Sequence, residues 1–178
     1  MDFNTIIKER LGPTFTKHGF LVEDYAHNFV KFKSQTIEVA ISCDDREKGC
    51  IISIGRLNEF LWPIDSFVIQ YLFGDDLKMN FFSIEEFVSG LLLLFQKGFN
   101  PLLNGDIEMI HLIKNYVEKR SKDYTQGIIN KQKLQLANAA WAKGDYVRFI
   151  EIMSKIDALQ WSNTDKFRHN IAVKKLSL

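Results

Sequence analysis

The sequence predicts an α+β fold: an N-terminal helix, a four-stranded antiparallel meander, then an all-helical C-terminal part packed on that sheet. Three features predict it. Apolar residues recur at helical spacing over residues 3–18, shift toward a period of two from Phe20 to Leu57, and return to helical spacing after Trp62-Pro63. Strands grouped early and helices grouped late do not fit the alternating pattern of a parallel α/β sheet. No repeat or Pro/Ser-rich linker divides the 178 residues. The expected organisation is therefore one domain, with helix plus sheet in 1–60 and the helical part in 64–178.

In the first helix Phe3, Ile6, Ile7, Leu11, Phe15 and His18 share a face, Gly12-Pro13 marks a bend or pause, and Gly19 supplies the stop. Strands are expected over 20–25, 29–33, 36–43 and 50–57, each rich in aromatic or β-branched residues. The breaks between them are short and polar, which suits hairpins and excludes crossover helices. In the third strand Ile37, Val39, Ile41 and Cys43 fall on one face and Glu38, Ala40 and Ser42 on the other, so one face is expected to lie under helices. Beyond Pro63, helices are expected over 64–73, from Ser83 to Lys97 with Gly98 as stop, and over 106–124. A helical pair over 131–143 and 145–155, broken by Gly144, and a last helix from Ser162 or Asn163 to about Leu176 complete the chain.

With 46% apolar and 25% charged residues the composition is that of a packed globular protein. The first residues, Met1-Asp2-Phe3-Asn4, lack the basic and apolar stretches of an export signal. The most apolar window, 84–95, is interrupted by Glu85 and Glu86 and is well short of the roughly 20 residues a membrane crossing needs. A cytoplasmic location and no membrane partner are expected. On that reading Cys43 and Cys50 are free thiols, although they bracket one turn and can face each other across it.

No catalytic or metal-binding motif is present, and no two of His18, His27, His111 and His169 are three to five residues apart, so no cofactor or metal is assigned. Two places suit a partner. The hairpin turn after the third strand carries Asp44, Asp45 and Glu47, and Phe60 and Trp62 form a large apolar cluster where sheet gives way to helix. The expected function is a non-enzymatic module that binds another protein, with no oligomeric state assigned. Two alternatives remain open: an enzyme whose carboxylates, Glu38, Asp44 or Asp45, converge only in three dimensions, and a nucleic-acid binder working through 114–133. Nucleic acid is the less expected partner because the net charge is only +1, although residues 1–105 carry −4 and 106–178 carry +5.

The run Ala137-Asn138-Ala139-Ala140-Trp141-Ala142-Lys143-Gly144-Asp145-Tyr146 resembles the helix-turn-helix of a tetratricopeptide repeat, which implies a local helical hairpin. Phe149 stands where that repeat usually has a small residue, and no second copy follows. The order of helix, His18-Gly19-Phe20, meander and helical tail resembles small uncharacterised bacterial α+β proteins. Some of these are immunity proteins that neutralise a toxin, so the resemblance implies a toxin as partner but carries over no functional residue.

Overall fold

The computed structural model describes residues 2–44, 46, 49–77 and 83–177. It is α+β, and its packing separates two compact units, Met1–Glu118 and Lys119–Leu178, each with its own apolar core.

In the first unit the opening helix is two short ones, α1 (Phe3–Arg10) and α2 (Gly12–Lys17). The Asp2 carboxylate caps α1 by accepting from the Thr5 N–H at 3.0 Å. Pro13 sits in the first turn of α2, where its missing N–H leaves no hydrogen bond unmade, and Gly19, at φ +76°, turns the chain into the sheet. The strands β1 (Leu21–Ala26), β2 (Phe29–Lys33), β3 (Ile37–Asp44), β4 (Gly49–Arg56) and β5 (Trp62–Ile64) lie side by side in chain order, all antiparallel. The inward face buries Val30, Phe32, Ile37, Val39, Ile41, Ile52 and Ile54.

The fifth strand corrects the expected four. Phe60-Leu61-Trp62-Pro63 has no clean alternation, and Pro63 cannot donate to a ladder. At the sheet edge this matters little, because β4 pairs with β5 from one side only.

Helices α3 (Ser66–Phe73) and α4 (Ile84–Leu94) are capped by Asp65 and Ser83, whose side chains accept from the Val68 and Glu86 N–H groups. Gly98 does not stop a helix. It lies in a π-helical turn, Phe95–Phe99, that passes into α5 (Asn100–Leu103), and a side chain on Gly98 would run into the Phe73 ring. The wider turn keeps both Phe95 and Phe99 buried. Phe15 joins the layers of this core: its ring stacks on Phe32 at 4.2 Å and meets the Phe95 ring edge-on at 5.6 Å.

The helices expected over 106–124 and 131–143 are one continuous helix, α6 (Ile107–Ala142), and the boundary between the units falls within it. The gap left between them contains Gly127, but one glycine costs a helix only about 1 kcal/mol, which its neighbours offset. The second unit continues with α7 (Tyr146–Met153), a 3₁₀ turn (Ala158–Gln160) and α8 (Asn163–Leu176) around buried Ala137, Ala140, Phe149, Met153, Ile156 and Ala172. Ser162 and Asp165 cap α8 reciprocally. Among the described residues no helix is long and apolar enough to cross a membrane.

Candidate functional site

The two expected contact places lie at opposite ends of the β3–β4 hairpin. Asp44 pairs with Gly49 at the turn end, whereas Trp62 pairs with Ile54 near the other end, where Ile37 meets Arg56. Glu38 and Asp44 are six residues apart on one strand face, about 20 Å at the rise of a strand, so these two carboxylates do not converge. Asp45 and Glu47 lie outside the described residues.

The aromatic place is built by a tight return from β4. Arg56 and Glu59 close a turn through the Glu59 N–H to the Arg56 carbonyl, 3.0 Å, and through an ion pair of 3.3 Å. Asn58 takes the left-handed conformation there, φ +64°, which asparagine tolerates better than most residues. The chain then runs back so closely that a Cβ on Gly55 would stand 2.5 Å from the Phe60 carbonyl oxygen. Only glycine leaves room for this approach.

Along the returning segment exposure rises in steps away from the core. Ile64 is buried, Trp62 is half-buried against the core cluster, and Phe60 is 67% exposed. The two rings meet edge to face at 4.7 Å, and the Lys114 ammonium of α6 lies 5.8 Å from the Trp62 ring centroid. Ile107, His111 and Lys114 follow one exposed stripe of α6, and Ile107 also lines a cleft of about 200 Å³ with Thr36, Arg56, Leu57 and Gly105. Nothing in the sequence ties Lys114 to this place, since it lies 52 positions after Trp62 and no local motif joins the two.

At the turn end Cys43 and Cys50 form a disulfide, which corrects the expected free thiols. They are direct cross-strand partners with Cα atoms 4.0 Å apart. The Cys43 N–H bonds to the Asn28 carbonyl on the β2 side, so the pair occupies a non-hydrogen-bonded position, where facing side chains come closest. His27, Asn28, Ser42, Cys43, Asp44 and Arg46 border an open hollow of about 530 Å³. Asp44 itself is a turn former, its carboxylate accepting from the Arg46 N–H at 2.7 Å.

Glu38, one of the alternative catalytic carboxylates, belongs to a ladder across the polar face of the sheet. Lys31 reaches Glu38 at 3.1 Å and Glu23 at 2.9 Å, and Lys33 reaches Glu23 at 2.7 Å. Hydrogen bonds from Lys33 and then Lys31 hold the Glu23 carboxyl below its ordinary value, and bonds to Glu23 and then Glu38 hold the Lys31 ammonium above its own. Each charge in the ladder has an opposite neighbour, so it serves as a structural tie between β1, β2 and β3.

Of the other motifs, His18 contacts Asn104 at 2.7 Å and His111 is exposed on α6. Trp141 and Trp161 pack against the core of the second unit. Comparison with protein-family models, with curated proteins and with solved structures finds no match.

Proposed function

We propose that the chain is a non-enzymatic protein-binding module whose contact surface centres on Phe60 and Trp62. One observation carries this reading. Phe60 presents 67% of its surface to solvent, yet its ring is braced at 4.7 Å against a tryptophan rooted in the core. Such a pair offers apolar area at little cost in side-chain entropy, the property that makes aromatic residues binding hot spots. Lys114 borders it with positive charge, which favours a partner segment that is apolar at its centre and acidic where it meets Lys114. The likeness to immunity proteins makes a toxin the partner class to test first.

The test is affinity capture from native lysate with the intact chain and with Phe60→Asp. The reading expects one stoichiometric protein with the natural sequence and its loss with Phe60→Asp at unchanged folding. Capture that ignores the substitution, or none across growth conditions, contradicts it. Co-expression with a captured toxin then separates neutralisation from other forms of binding: growth is restored by the natural chain and not by Phe60→Asp.

A further inference from the structure

The near-neutral charge of the whole chain conceals an uneven division between its two units. Residues 1–118 carry 11 basic and 17 acidic side chains, whereas residues 119–178 carry 12 basic and only 5 acidic. The second unit, at +7, is therefore far from neutral and carries the charge that phosphate binding needs.

Most of its few acids already have a structural task. Asp145 accepts from the Arg148 N–H at the start of α7, and Asp157 accepts from the Leu159 N–H of the 3₁₀ turn. Asp165 accepts from the N–H and hydroxyl of Ser162 in the α8 capping box, and Glu151 pairs with Lys155 at 2.7 Å. Three of these carboxylates are held at the starts of helical turns and Glu151 by Lys155 just beyond α7, and with 12 basic against 5 acidic side chains the cations dominate the field of the unit.

Helix α8 sorts its cations into two faces. Arg168 folds inward, donating to the Asn138 side-chain Oδ1 at 2.8 Å with its guanidinium 5.7 Å from the Trp141 ring centroid. Lys175 likewise donates to the Tyr146 hydroxyl at 3.2 Å. These two help seat α8 on its neighbours. Lys166, Asn170 and Lys174 follow one another at four-residue intervals on the opposite, exposed side. Phe167, 66% exposed, stands among them, one turn from Asn170 and two from Lys174.

We infer that this outward face of α8, formed by Lys166, Phe167, Asn170 and Lys174, binds single-stranded nucleic acid. The Phe167 ring stacks on a base, the two ammonium groups neutralise phosphates, and the Asn170 amide hydrogen-bonds to sugar, base or phosphate. An exposed phenylalanine favours a single strand over a duplex, whose bases are already stacked on one another. The inference rests on residues other than those of the protein-binding surface, so either can fail without the other.

The experiment is fluorescence anisotropy of an end-labelled oligothymidylate and an oligouridylate of about 15 nucleotides, the upper range of such binding sites, titrated with the full chain. Binding is expected at about 50 mM salt and should weaken linearly on a log–log plot as salt rises. Phe167→Ala should lower the affinity about tenfold. The double variant Lys166→Gln/Lys174→Gln should reduce the salt slope by about 1.4, the release expected for two phosphate contacts on a single strand. All four side chains are exposed, and unchanged thermal unfolding of the variants would confirm that folding is not the cause. No binding at low salt would overturn the inference. So would binding insensitive to both variants, tighter binding to a duplex of the same length, or binding confined to phosphatidylserine vesicles.

Discussion

Gly55 and the carbonyl of Phe60 are held so close that a single added carbon would stand 2.5 Å from the oxygen. The contact sets where the returning chain rejoins the sheet and therefore where Trp62 meets Ile54. Gly55→Ala must displace backbone rather than a flexible side chain, and the expected loss of stability is about 1–3 kcal/mol. Urea unfolding followed by tryptophan emission checks it. A stable variant with unaltered emission would show that the return path is not fixed there.

The Cys43–Cys50 bond closes a short hairpin loop with a sequence separation of 7. For a loop of this size the chain-entropy relation gives roughly 2–3 kcal/mol of stabilisation. Reduction with dithiothreitol, or Cys43→Ser/Cys50→Ser, should lower the unfolding midpoint accordingly. Peptide mapping without reductant should recover the two cysteines joined. Rapid alkylation of both in the native protein would contradict the pairing.

The Glu23–Lys31–Glu38 ladder should make stability depend on pH in two directions. The folded state lowers the Glu23 value, so its contribution is present above the unfolded carboxylate range and is lost as pH falls through the folded value. Lys31 is raised, so its contribution is complete below the unfolded lysine value and is lost as pH rises through the folded one. Glu23→Gln should therefore be less stable than the natural chain near neutrality, and the difference should close in acid. A difference that stays constant from neutral to strongly acid pH would remove Glu23 from the ladder.

Gly127 lies in the interior of α6, exposed, and beyond its own turn of helix nothing stands within 4 Å of the position a Cβ would take. Because the helix runs unbroken through this position, Gly127→Ala should stabilise the chain by about 0.5–1 kcal/mol through the restricted unfolded state. Loss of stability on that substitution would indicate a break at this position.

The sheet was legible where burial imposes its period. Ile37, Val39 and Ile41 alternate with Glu38, Ala40 and Ser42 because β3 is central, with the core on one side and the charge ladder on the other. The cap at Ser83 was equally readable, since a hydroxyl followed by a carboxylate three residues on is a local signal, while the last helix offered both Ser162 and Asn163 and Ser162 is the cap. Features set by tertiary contact were not. β5 exists because Gly55 admits the returning chain, α6 continues because packing elsewhere along it offsets one glycine, and Gly98 is required by the Phe73 ring. At the site, Phe60 and Trp62 stood out by residue type, but the bracing of one by the other and the arrival of Lys114 depend on contacts the sequence does not display.

On the proposed function Phe60 touches a protein partner. A photoreactive phenylalanine analogue at position 60, irradiated in the native cell, tests it most directly, with the same analogue at exposed Leu159 as control. One discrete adduct is expected from position 60 and none of that mass from position 159. Adducts that are identical at both positions, or absent from position 60, would contradict it.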